Sequence, residues 1–271
     1  MTSNANFASE RTVDRSVNHP PVSAERRPAE AERFGSMAKA LRSAGVAAEH
    51  SFIGSAEALS EAVVRNTADI AFCSFFRFAD RRYLRDLLLG EGVAWIGSSA
   101  EVMELALSKP RMKSRWLSYG IPTPEWHTIR KNADGSIEEI EFIESMRNFP
   151  YIVKPASEGN SRGIDSGSVV RSALDLYSRS CLIAEEFGEA LIERFVSGEE
   201  GSREFTVATI GNGTCAIVSA VEILKTDAGA LLISEEDKEG RTTRLSPIGD
   251  PRLKDKVERL ARRMFVAAGV R

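Results

Sequence analysis

The chain has 271 residues, with 36 Lys and Arg against 39 Asp and Glu, a net charge of −3 with His neutral. That near balance excludes the basic footprint of a nucleic-acid binder and the field that attracts anionic membranes. Hydrophobic residues make up 42% and charged residues 28%, a globular composition long enough for a sizeable core and, at about 150 residues per domain, for one or two domains.

Residues 1–32 carry Pro20, Pro21 and Pro28 with few large apolar side chains and read as a disordered tail. Phe34, Met37, Ala38 and Leu41 then recur at helical spacing up to Gly45. A second helix is expected after Ser55, and a short strand over Ala68–Cys73. Asp80 can cap a helix carrying Tyr83, Leu84, Leu87 and Leu88, ahead of a buried strand over Val93–Ile96. Ser98 and Glu101 have the spacing of a capping box. Short apolar strands alternating with helices predict α/β layering. Pro110 suits the first turn of a helix from Lys109 to Tyr119, closed by Gly120. The prolines of Ile121-Pro-Thr-Pro124 bias the preceding residues towards extended backbone, and a domain boundary is expected in Lys109–Pro124.

Beyond it, strands are expected at Trp126–Ile129, Tyr151–Lys154 and Leu191–Val196, with helices at Glu138–Arg147 and from Ser172 to Phe187. Phe205–Ile210 and Cys215–Glu222, joined by Gly211-Asn-Gly213, read as an antiparallel hairpin. A last helix spans Arg252–Ala268, and Arg259, Arg262 and Arg263 read as its solvated face. Cys73, Cys181 and Cys215 have no paired spacing and read as small hydrophobes. His19, His50 and His127 are scattered and suggest no metal centre, and Trp95, Trp116 and Trp126 read as packing residues. No apolar run reaches the roughly 18 residues of a membrane helix. The first thirty residues have no apolar segment of signal-peptide type, so a soluble cytoplasmic protein is expected.

Chemistry concentrates in Tyr151-Ile-Val-Lys-Pro-Ala-Ser-Glu-Gly-Asn-Ser-Arg-Gly-Ile164. A strand delivers Lys154 to a loop of small residues containing Glu158, Gly159, Ser161 and Gly163. Backbone N–H groups in such a loop can cradle an anion, and the lysine adds a point charge, which points to nucleotide phosphates. An ordinary surface loop with a solvated lysine remains the alternative. Lys109, at a helix start, can reach a phosphate from the opposite side or simply lie on the surface. In Ala190-Leu-Ile-Glu-Arg-Phe-Val-Ser-Gly198, Glu193 is either an edge-strand surface charge or an acceptor for an adenine amino group, with Phe195 and Val196 lining an apolar slot.

Four segments in order, LSKPRMK with GIPTPEW, YIVKPASEGNSRGI, ALIERFVSG and REFTVATIGNG, resemble the ATP-grasp ligases, specifically the D-alanine–D-alanine ligase branch. The resemblance implies an ATP-grasp fold, α/β and α+β, after a partial Rossmann-like domain. The expected division is a tail at 1–32, a partial α/β domain at 33–108, and ATP-grasp subdomains at 109–190 and, incomplete, 191–271. It implies ATP and magnesium, small amino-acid substrates, a homodimer and a role in cell-wall peptidoglycan synthesis. Lys109 and Lys154 take the places of phosphate lysines, Glu193, Phe195 and Val196 the adenine site, and Glu204 the ribose carboxylate, while Lys238 sits near a further phosphate lysine. The implied reaction is an ATP-dependent joining of a carboxylate and an amine through an acyl phosphate.

The chain also departs from that pattern. The family's metal ligands, an Asp and then Glu-x-Asn, are expected beyond Arg271, so the resemblance is to a C-terminally shortened ligase without metal ligands; Glu222 could replace one only by coincidence. Ser74–Asp80 replaces a His-Gly loop, leaving Phe75, Phe76 and Phe78 as core or interface aromatics and the amino-acid contacts unassigned. Glu199–Arg203 lengthens the link to Glu204, and Thr226–Asp250 is a loop lacking the family's tyrosine. A degenerate or truncated ATP-binding protein without turnover is the alternative.

Overall fold

The computed structural model describes residues 27–50, 61, 69–72, 86–132, 146–159, 161–197, 202–225, 232–234, 237 and 243–270. Two compact units divide between Trp95 and Ile96. In the first, helix α1 spans Arg27–Ser43 and buries Ala38. It begins seven residues before Phe34, and of the predicted stripe Ala38 is buried while Met37 and Leu41 are exposed. Strands β1, Ile70–Phe72, and β2, Ala94–Ile96, form a two-stranded sheet, entered through helical residues 86–90 and a turn at Gly92 with φ 73°.

The second unit opens with α2, Ala100–Leu107. Its cap is Ser99, one residue later than the spacing suggested: the Ser99 hydroxyl accepts from the Val102 N–H. Helix α3, Lys109–Ser118, follows directly, with proline in its first turn.

A four-stranded antiparallel sheet comes next, in the order β3, β6, β4, β5. Its strands are Trp126–Arg130 (β3), Tyr151–Pro155 (β4), Val169–Val170 (β5) and Glu189–Arg194 (β6). Helix α4, Ala173–Phe187, is capped by Ser172 and covers one face. Side chains alternate across a sheet, so every second residue meets that helix. Ile129, Val153, Ala190 and Ile192 pack there with Leu176, Ile183 and Ala184. Each large aliphatic side chain so buried contributes about 1.5–3 kcal/mol. The sheet runs on through β6 to Arg194, past residue 190. β6 is an interior strand, which overturns the edge-strand reading of Glu193: it pairs with β3 on one side and β4 on the other.

The hairpin forms as expected. Strand β7, Glu204–Ile210, pairs with β8, Ile217–Lys225, through a helical turn at Gly213–Cys215. A third strand, β9, Thr243–Pro247, pairs with β8 inside the expected Thr226–Asp250 loop. Its sequence TRLSP has too few apolar positions to announce a strand, and β8 supplies the order that its own pattern lacks. Helix α5, Pro251–Ala268, closes the unit. Its arginines are not all a solvated face. Arg262 donates to the Ala216 carbonyl and Arg263 to that of Gly120 at 3.1 Å, while Arg259 pairs with Asp255 on the surface. Cys181 is half-buried and Cys215 exposed, both as free thiols. Cys73, Phe75, Phe76, Phe78 and the expected helices after Ser55 and at Glu138–Arg147 lie largely or wholly outside the described residues.

Candidate nucleotide site

Register and helical period assemble the site. Ile152 faces Glu193 across the β4–β6 ladder and Lys154 faces Leu191. Lys154 and Glu193 are therefore diagonal neighbours on one face, a separation that long side chains bridge. It is the face opposite α4, because Val153 and Ile192 point to the helix. Trp126 opposes Glu193 from β3. Lys109 and Lys113 are one turn apart on α3 and share a side of that helix.

Glu193 is held from both ends. Its Oε1 accepts from the Lys113 ammonium at 2.6 Å, and its Oε2 is ion-paired with Lys154. Lys113 also donates to the Thr123 hydroxyl and lies 5.1 Å above the centre of the Trp126 ring. Glu193 is 8% exposed and Lys113 4%. Burial alone would raise the Glu193 carboxyl, but Lys154 and Lys113 outweigh it and hold it below the usual carboxylate range. Burial draws the Lys113 ammonium down despite the pull of Glu193. Two lysines around one carboxylate leave the cluster one positive charge in excess.

Lys109 ties α3 to the loop after β4. Its N–H donates to the Ala156 carbonyl at 2.9 Å, and its ammonium to the carbonyls of Pro155 at 2.7 Å and Glu158 at 2.5 Å. Its pKa falls to about 8, first through burial and then through Lys154 nearby, with Glu158 and Glu193 opposing. The loop folds back in two turns, Arg162 N–H to Gly159 carbonyl at 3.0 Å and Ile164 N–H to Ser161 carbonyl at 2.9 Å. Ser161 sits at φ 60°, a region a side chain seldom adopts. The Glu158 carboxylate lies 3.4 Å from the Arg162 guanidinium. A carboxylate held by two lysines thus adjoins a strand end and a turn-rich loop tied down by a third, a surface suited to a ligand with an anionic tail and a hydrogen-bonding base.

The family model for the D-ala D-ala ligase C-terminus matches residues 116–271. The chain belongs to this family. D-alanine–D-alanine ligase of Bordetella pertussis is 29% identical over 178 residues, covering 66% of this chain and 52% of that protein. That of Xanthomonas axonopodis pv. citri is 32% identical over 181 residues, covering 66% and 54%. The chain therefore spans about half the length of these relatives. Structures of D-alanine–D-alanine ligase from Bacillus anthracis match with a TM-score of 0.58 at 19% identity, covering 78% of this chain and 65% of that one, and, for the complex with ATP, 0.55 at 20%, covering 78% and 64%. The fold is ATP-grasp, in mixed helices and antiparallel sheets.

Within this ligase family member, the site residues inferred from sequence fall in several places. Lys109, Lys154, Glu158 and Glu193 come together, and Gly159 and Ser161 lie in the adjoining loop. Phe195 is half-buried, its N–H donating to the Pro150 carbonyl at 3.2 Å, whereas Val196 is 66% exposed and lines no enclosed slot. Glu204 opens β7, opposite Ile223. Lys238 lies outside the described residues. Lys113 is the residue that sequence reasoning missed; its signal was its place one turn after Lys109 in LSKPRMK. Among the described residues no three His, Cys, Asp or Glu side chains gather where they could hold a metal ion, and both oxygens of Glu222 accept from Arg203 at 2.7 Å. The described residues therefore form no cluster suited to the magnesium that the resemblance implied. No described helix is long and apolar enough to cross a membrane.

Proposed function

We propose that this chain binds ATP and takes part in an ATP-dependent carboxylate–amine ligation of the D-alanine–D-alanine ligase type. The observation that carries this is the convergence of Lys109, Lys154 and Glu193 around the loop after β4. In this reading Lys109 and Lys154 hold phosphate oxygens, with the loop's Glu158, Gly159 and Ser161 alongside. Glu193 accepts from the adenine amino group, Phe195 and Val196 flank the base, and Glu204 accepts from the ribose hydroxyls. Lys238 is a candidate further phosphate ligand. Residues 33–108 would be part of a preceding α/β domain, and the two ATP-grasp subdomains would follow it, the first carried past the expected 190 to the end of β6 at Arg194.

The chemistry follows from the charges. A substrate carboxylate oxygen attacks the γ-phosphorus, and the bond to the β,γ-bridging oxygen breaks to release ADP. The amine of a second amino acid then attacks the acyl phosphate carbon; phosphate leaves, the amine loses a proton and an amide remains. Fixed ammonium groups stabilise charge growing on the transferred phosphoryl group. Relatives named D-alanine–D-alanine ligase support D-alanine as the first substrate to test, in a cytoplasmic role in peptidoglycan synthesis. The test is ADP release from ATP supplied with magnesium, with and without D-alanine. D-alanine-dependent ADP and dipeptide are expected. ATP binding without ADP would reduce the reading to a nucleotide-binding protein without turnover, and the absence of ATP binding by calorimetry would end it.

A further inference from the structure

Glu193 has a fixed partner and a movable one. Lys113 is gripped by Thr123, the Trp126 ring and Glu193 Oε1. Its side chain is 6% exposed, against 19% for Lys154. Lys154 stands at the end of β4, beside the turn-rich loop, and occupies Glu193 Oε2. In the nucleotide reading these two roles are linked by access: Oε2 is itself buried with the Lys154 ammonium against it, so a base reaches it only when that ammonium moves, and a phosphate beside the loop gives the ammonium somewhere to go.

We propose that Lys154 is a latch on Glu193: its ammonium blocks the oxygen that would accept the adenine amino group until a phosphate draws it away. This deepens the ATP-binding reading and rests on it. Lys113 is the positioning residue of the device. When Lys154 leaves, Lys113 remains on Oε1, so the carboxylate stays ionised and aimed while Oε2 becomes available. Base and phosphate recognition are then coupled. Adenosine must break a buried ion pair to bind and leaves Lys154 without a carboxylate. ATP breaks the same pair but supplies a phosphate oxygen in its place. The coupling is reciprocal: a separate phosphate compound should strengthen adenosine binding by the factor with which adenosine strengthens its binding.

The experiment is calorimetry on the full chain with ATP, adenosine and pyrophosphate, using wild type and Lys154→Met. Wild type should bind ATP and bind adenosine far more weakly. Lys154→Met should bind ATP at least roughly tenfold more weakly, yet adenosine roughly tenfold more tightly, because Oε2 is already open. In wild type, saturating pyrophosphate should tighten adenosine binding several-fold, an effect absent from the variant. A lysine that served only as a phosphate ligand would leave adenosine binding unchanged or weaker in the variant, and that outcome overturns the latch while ATP binding by wild type keeps the nucleotide reading intact. If wild type binds no ATP, the nucleotide reading itself is wrong, and the latch with it. Should Lys154→Met fail to fold, the pyrophosphate arm on wild type decides alone: no tightening of adenosine binding means no latch.

Discussion

The two sheets of the second unit are built from similar strands and packed in different ways. In the four-stranded sheet, Ala190, Leu191 and Ile192 of β6 are fully buried in succession, so the strand is covered on both faces. In the three-stranded sheet, β7 alternates exposed and half-buried positions along its length, and Ile210 and Ile217 are each 75% exposed beside the hairpin turn. α5 covers the one face and reaches it with polar ties as well as apolar ones, such as Glu258 accepting from the Ala220 N–H at 3.1 Å. The difference teaches where charge chemistry can be concentrated. A carboxylate on a doubly covered strand is dry, and its partners act on it with little screening. Glu222 on β8 meets a cation too, but Arg203 is exposed, and such a pair contributes little.

The hardest test of this contrast is Glu193→Ala. It leaves Lys113 and Lys154 facing each other without a carboxylate, and a loss of about 3–5 kcal/mol is expected in urea unfolding at neutral pH. Glu222→Ala should lose no more than about 1 kcal/mol. The pH dependence sharpens the point. The folded-state pKa of Glu193 lies below its unfolded value, so its contribution is complete above the ordinary carboxylate range and is lost as pH falls through the folded pKa. The variant should lack that part of the acid destabilisation. Equal losses in the two variants would erase the distinction between the sheets.

Apolar truncations come next. Ile192→Ala removes a fully buried side chain between α4 and its sheet and should cost about 2–5 kcal/mol. Ile210→Ala, the same change on the other sheet, should stay within about 0.5 kcal/mol. Paired thermal melts measure both. A substantial loss at Ile210 would mean that something covers that sheet in solution.

Much of this was legible in the sequence, for a physical reason. The Gly120 stop, the Ser172 cap and the hairpin depend on neighbours within a few residues, and local chemistry is written locally; strand ends were less so, since β6 spans Glu189–Arg194 rather than Leu191–Val196 and β8 spans Ile217–Lys225 rather than Cys215–Glu222. Membership of the ligase family was legible in the motif order. The centre of the site was half legible. Lys154 and Glu193 were singled out separately, but their meeting depends on the β4–β6 register, which no local signal carries. Lys113 needed that register together with the placement of α3. β9 was invisible because its order comes from β8, and the Arg262 and Arg263 ties because an arginine on a helix looks the same whether it meets water or a carbonyl.

A smaller effect is expected at Gly163, where the loop turns back over the sheet. A Cβ there would lie 2.7 Å from Pro155 Cγ and 2.8 Å from Phe187 Cε2, at a φ of 72°. Gly163→Ala must push a ring and a proline together with a strained backbone, for about 1–3 kcal/mol. Gly213→Ala is the control on the other sheet: φ is similar at 52°, but the site is open, so only the backbone strain remains. Near-equal losses would show that conformation rather than packing sets the cost at the loop.

The smallest effect asks how far the dry region reaches. Lys109 sits at its rim with a pKa of about 8, lowered chiefly by burial. The unfolded lysine holds its proton to about 10.4, so between these values the unfolded chain binds more protons and this group's contribution to stability rises with pH. Nucleotide binding runs the other way. A phosphate oxygen beside Lys109 favours the ammonium, so ATP should recruit a proton, and its affinity should hold steady up to about pH 8 and weaken by about tenfold over the next unit. Calorimetry in buffers of different ionisation enthalpy counts the proton directly. Uptake near pH 8.5 that vanishes in Lys109→Met would place the lysine against the phosphates. Uptake that survives the substitution would assign it elsewhere and return Lys109 to a structural tie between α3 and the loop.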